Sequence, residues 1–163
     1  MGRSVGVTTA IAQFMRALED AWEAHHRAVA ERDLAAVMRS MADGTSVVHL
    51  PAMTGGSDRQ TVESFYAEQV LPHLPADLAL RRISRTVDRW RLVEETTVSF
   101  THDRELPWLL PGIEPTFRRA EVLAIAVAGF RRMKIDSLRV LWDHATLTAQ
   151  LGVTAPVATV PAR

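Results

Sequence analysis

The stretch Ile135-Asp-Ser-Leu-Arg-Val-Leu-Trp-Asp143-His-Ala-Thr-Leu-Thr-Ala-Gln-Leu-Gly152 reads as a strand that carries one carboxylate to its tip and then turns into a short helix. Asp143 is therefore the leading candidate for acid/base chemistry. Beside Trp142, and after Val140 and Leu141, it is expected at the rim of an apolar pocket. Partial desolvation there raises a carboxyl pKa and suits the group to move protons. The competing role is an N-cap of the helix through Ala149, in which backbone N–H groups would lower that pKa.

Two histidines are candidate partners. His49 ends a strand just before the loop Ala52-Met-Thr-Gly-Gly56, placed to polarise a carbonyl or shuttle a proton. His102 shares strand parity with Val98 and Phe100, so it is expected at the mouth of the same pocket. Glu95 and Glu121 each interrupt a strand and either orient a pocket histidine or pair with neighbouring arginines. Trp22, Tyr66 and Trp108 suit a flat, apolar ligand, and Tyr66 can donate a hydrogen bond to an enolate.

Other chemistries find no residues to carry them. Cysteine is absent, which removes disulfides, thiolate nucleophiles and zinc–thiolate sites. The six histidines show no ligand spacing, so no metal is expected. There is no Gly-x-Ser-x-Gly elbow and no dinucleotide fingerprint, and the chemistry is expected to need no cofactor. Gly55 and Gly56 lack the rest of a phosphate loop and are expected to permit a tight turn.

Nineteen basic residues balance nineteen acidic ones in 163 residues, so no global field attracts nucleic acid or a membrane surface. The longest apolar run, 122–130, is far short of the roughly 20 residues that span a bilayer. We expect a cytoplasmic protein without nucleic-acid or membrane partners.

The elements that must position these residues follow from periodicity. Ile11, Phe14, Met15, Leu18, Trp22 and Val29 recur at helical spacing and predict a long amphipathic helix over 9–31. Asp33 caps a second helix carrying Leu34, Val37, Met38 and Met41, with Gly44 to end it. Thr45 to Leu50 is a strand, and Ser57 with Gln60 forms a capping box for a third helix. Two hairpins follow, 78–87 with 90–101 and 117–130 with 134–142, the second around Arg131-Arg-Met133 without the usual glycine or asparagine. The connection from Asp103 to Pro115 is too apolar to be left in water and must cover a pocket or a partner.

This order describes an α+β fold: a cone-shaped, strongly curved, mostly antiparallel sheet with three helices from the N-terminal half on its concave side. Residues 1–8 and 153–163 are expected to be flexible around a single domain over 9–152.

The pieces Ala35-Ala-Val-Met-Arg-Ser-Met-Ala-Asp43, Val48-His-Leu-Pro-Ala-Met-Thr-Gly-Gly56, Thr101-His-Asp-Arg-Glu-Leu-Pro-Trp-Leu-Leu-Pro-Gly112 and Leu141-Trp-Asp-His-Ala145 carry a resemblance. In this element order the chain resembles the nuclear transport factor two-like superfamily, and more narrowly its SnoaL-like polyketide cyclase branch. The resemblance implies an aspartate acid/base at Asp143 and often a homodimer. It does not choose among isomerase, dehydratase, cyclase, epoxide hydrolase and plain binding. The expected function is cofactor-independent proton transfer on a small apolar carbonyl or polyketide-like compound. Asp143 would take the proton, and His49 or His102 would stabilise the enolate oxygen. The alternative is a non-catalytic ligand-binding or dimerisation module of the same fold.

Overall fold

A computed structural model describes residues 3–154. Helix α1 (Arg3–Ala30) is followed by α2 (Leu34–Ser40), β1 (Met41–Leu50), β2 (Thr54–Gly56) and α3 (Arg59–Ser64). The helix of α3 widens into a π-turn over Phe65–Val70 and tightens to a 3₁₀ turn at Leu71–His73. Strands β3 (Ala79–Val87), β4 (Arg91–Thr101), β5 (Arg119–Arg131) and β6 (Lys134–Trp142) precede α4 (His144–Leu151).

One six-stranded sheet runs in the order β2-β1-β6-β5-β4-β3. Every neighbouring pair is antiparallel except β1 with β6. The fold is thus α+β on a mixed, mostly antiparallel sheet. Alternation on β4 is strict: Leu92, Glu94, Thr96, Val98 and Phe100 are buried on one face. Helix α1 lays Leu18, Trp22, His25 and Ala28 against this sheet at helical spacing. Burying a side chain such as Leu18 or Leu92 contributes about 1.5–3 kcal/mol, and these contacts hold helix to sheet.

Several sequence expectations shift. Helix α1 begins at Arg3, so residues 3–8, expected to be flexible, continue its helix. Most of the expected flexible tail, 155–163, lies outside the described residues. Helix α2 is capped by Asp33 as expected, its carboxylate accepting from Ala36 N at 2.9 Å. It ends at Ser40 and not at Gly44, because Met41 and Ala42 are already buried in β1. Gly44 instead falls where the register between β1 and β6 slips. The cap of α3 is Asp58 and not Ser57: Asp58 accepts from Thr61 N at 2.8 Å, and Thr61 closes a reciprocal box.

The β5–β6 hairpin turns in two residues, Arg132 and Met133, both left-handed with φ of 51° and 62°. That is the backbone a twisted two-residue hairpin demands, met without glycine or asparagine. Gly55, by contrast, has no substitute. Its φ is +142°, and a Cβ there would sit 2.0 Å from the carbonyl oxygen of Val47.

Candidate functional site

A cavity of about 250 Å³ opens between the sheet and α1. That is just below the roughly 300–1,000 Å³ of ligand pockets. The inward faces of β4, β5 and β6 supply Glu94, Thr96, Val98, Ala124, Ala126, Leu138, Val140 and Trp142. Helix α1 adds Trp22, His25 and His26, and the 103–118 connection adds Trp108. That connection buries Leu106, Trp108, Leu109 and Leu110, and Thr54 Oγ1 donates to the Trp108 carbonyl at 2.5 Å to fix it.

His49 stands in an aromatic box, its ring centroid 5.6 Å from Phe65, 5.6 Å from Trp108 and 6.2 Å from Trp142. Trp142 Nε1 donates to His49 Nδ1 at 3.1 Å. An indole N–H can only donate, so Nδ1 carries the lone pair. Burial pushes the His49 pKa down to about 4, leaving the ring neutral with its proton on Nε2. His49 is therefore a fixed neutral donor. Trp108, also on the cavity wall, holds a buried Nε1–H with no acceptor among the described residues. That atom is buried from the cavity as well as from solvent, and an unpaired buried donor costs about 1–3 kcal/mol.

Helix α1 carries a second polar group. Glu94 accepts from Trp22 Nε1 at 3.2 Å and from Arg85 Nε at 2.7 Å, and Arg85 Nη2 makes a further short bond to the same carboxylate. Thr96 Oγ1 approaches Glu94 at 3.5 Å. Arg85 also reaches Glu23 at 2.6 Å, which extends the network to the surface. His26 packs on Trp22 with centroids 4.4 Å apart and makes no hydrogen bond to the protein among the described residues. Burial lowers its pKa, while the carboxylates of Glu94 and Glu23 oppose that shift. It is a neutral imidazole whose protonated form two carboxylates stabilise.

His25 is held differently. Ser40 Oγ donates to the Val37 carbonyl at 2.6 Å, so it accepts from His25 Nδ1 at 2.8 Å. His25 Nε2 is then left to accept from the Tyr66 hydroxyl at 3.4 Å. Burial drives the His25 pKa down to about 3 and raises that of Tyr66, so both stay neutral.

Of the residues predicted from sequence, His49, Trp22, Tyr66 and Trp108 line this cavity. Asp143 does not. It is exposed and caps α4, accepting from Thr146 N at 3.1 Å, and hydrogen bonds from Thr146 hold its carboxyl below the usual range. The expectation of a desolvated acid there is corrected: Trp142 turns inward, so Asp143, next along the strand, turns out. His102 is buried but lies beyond the cavity, where the chain folds back. Thr116 N donates to its Nδ1 at 3.3 Å, and burial lowers its pKa. Glu95 points away from the cavity and accepts from Ser84 Oγ at 3.0 Å. Glu121 is exposed, its backbone bonded to the Gln150 side chain.

Sequence reasoning missed Glu94, His25 and His26. The signal for Glu94 was present, since it shares the even-numbered parity of Val98 and Phe100, whereas Glu95 does not. His25 and His26 follow Trp22 by three and four residues, which places both beside it on one helix face. Their adjacency argues against a shared metal but not against a shared cavity. Among the described residues, no group of three or more histidine or carboxylate side chains is arranged to hold a metal ion.

The sequence matches no protein-family model, and a search of curated proteins finds no significant relative. Solved structures do match. A SnoaL-like polyketide cyclase from Jannaschia sp. CCS1 superposes with a TM-score of 0.64 at 15% identity, covering 82% of this chain and 92% of that one. The chain has the nuclear transport factor two-like fold. A protein of ketosteroid isomerase-like fold from Catenulispora acidiphila, in complex with trimethylamine, matches at TM-score 0.61 and 13% identity over 87% and 97% of the two chains. An epoxide hydrolase of M. tuberculosis matches at 0.62 and 12%, over 84% and 90%. This fold thus hosts enzymes of several kinds as well as ligand complexes. Among the described residues of this chain, no helix is long and apolar enough to cross a membrane.

Proposed function

We propose that the cavity binds a small, largely apolar carbonyl compound and moves a proton on the carbon beside the carbonyl, as a cyclase, isomerase or dehydratase does. The observation that carries this is a neutral donor, His49 Nε2–H, fixed by Trp142 on the wall of an apolar cavity. Neutral donors in a dry site stabilise an enolate oxygen without first binding the anion of a competing acid. Asp143 faces solvent, so the base passes to His26. Its ring accepts the proton while the C–H electron pair moves onto the carbonyl oxygen. Glu94 and Glu23 stabilise the imidazolium that results. Returning the proton to a different carbon isomerises the ligand; attack of the enolate on a second carbonyl cyclises it.

The saturation of Glu94 by Trp22 and Arg85 favours one other reading, that of a binding module in which this network only braces the wall. Hydrogen–deuterium exchange beside the carbonyl of a panel of aromatic and alicyclic ketones separates the two. Exchange catalysed by the wild type should fall at least about 100-fold in His26→Gln and persist in Asp143→Asn. No wild-type exchange with any ketone that binds, or full exchange by His26→Gln, contradicts the enzyme reading.

A homodimer also belongs to this proposal. Val93 and Leu141 leave apolar side chains exposed on the sheet face opposite the cavity, and light scattering showing a monomer would exclude it.

A further inference from the structure

Among the polar groups around the cavity, Arg32 alone brings a charge that no carboxylate of the described residues neutralises. It follows α1, is exposed, and lines the cavity together with Val29, Leu74 and Pro75. Its Nε donates to the Leu71 carbonyl at 3.1 Å and its Nη2 to the Leu74 carbonyl at 2.8 Å, which aligns the guanidinium plane against the 3₁₀ turn. Nη1 has no acceptor among the described residues. Its neighbours do not compensate it: Asp33 is engaged by Ala36 N, and neither Glu31 nor Asp33 comes within ion-pair distance. Glu94, the one carboxylate lining the cavity among the described residues, is already held by Arg85.

An aligned guanidinium with a spare N–H, at the open side of an apolar cavity, is suited to one ligand chemistry. Guanidinium recognises carboxylate through its planar fork, and a partly desolvated pair gains more than one in water. We infer that the ligand is an apolar ring compound bearing a carboxylate, which Arg32 holds at the mouth while the ring lies between Trp22 and Trp108. This rests on reading the cavity as a ligand site, and it adds the acidic group that the ligand must carry.

The test uses 2-naphthylacetate and its uncharged isostere 2-naphthylacetamide, titrated against the full chain by tryptophan fluorescence. Three of the four tryptophans line the cavity, so occupancy quenches them. The wild type should bind the acid about tenfold more tightly than the amide, the low end for a charge-assisted bond at a partly exposed site. In Arg32→Gln the preference should vanish, and Arg32→Lys should restore part of it. The acid/amide ratio is read within each variant, so a general loss of stability does not imitate the result. Equal binding of acid and amide by the wild type, or an undiminished preference in Arg32→Gln, overturns the assignment while leaving the cavity as a ligand site. Failure of both probes to bind overturns the assignment and the site together.

Discussion

The proposed chemistry turns on which nitrogen of each buried histidine carries the proton. His25 donates through Nδ1 to Ser40 and His49 accepts through Nδ1 from Trp142, so two imidazoles on one cavity are locked in opposite tautomers. Both are held neutral by burial, and this has a consequence for stability. In the unfolded chain a histidine takes up a proton below pH ~6.5, whereas folded His25 and His49 refuse it until pH about 3 and about 4. The unfolded state therefore binds more protons throughout the interval. Stability is complete above pH 6.5 and falls as the pH drops toward 4, by about 1.4 kcal/mol per pH unit for each of the two groups. Urea unfolding at pH 7 and pH 5 measures this; equal midpoints would contradict it. Little of this was legible in the sequence. Histidine is recognisable as a type, but its tautomer depends on partners such as Trp142, 93 positions away.

At the scale of elements, strand parity and helix capping decide which side chains meet the cavity. The same parity rule that placed Val98 and Phe100 inward identifies Glu94 and excludes Glu95; the error lay in not carrying it down the strand. His102 obeyed the parity yet missed the cavity, because its strand passes beyond the chamber before the chain turns back at Thr116. Of the two sequence readings of Asp143, a desolvated acid at a pocket rim and a helix cap, only the cap survives. Its replacement by Ala should lower the melting temperature, since Thr146 N loses its acceptor, while Asn should leave the temperature close to wild type. Equal melting of the Ala variant and the wild type would mean that the cap contributes nothing. The second helix and the β5–β6 turn show where sequence punctuation misleads: Gly44 sits inside a strand, and Arg132 with Met133 adopts a left-handed turn without glycine.

For the whole molecule, the order of helices and strands was legible because amphipathic periods of 3.6 and 2 are local properties. The apolar 103–118 connection was rightly expected to cover something; that it presses Trp108 against His49 required the fold. A sheet bent around α1 leaves an apolar chamber, and the proposed chemistry draws on two sets of its polar groups, the His49 donor of the aromatic box and a carboxylate-backed imidazole on the helix. The proposed proton transfer depends on the first set. Long-range proton–nitrogen NMR of histidine-labelled protein reads the His49 ring directly. It should show a neutral imidazole from pH 7.5 to 5, protonated at Nε2, with Nδ1 accepting a hydrogen bond. A proton on Nδ1, or titration near pH 6.5, would contradict it.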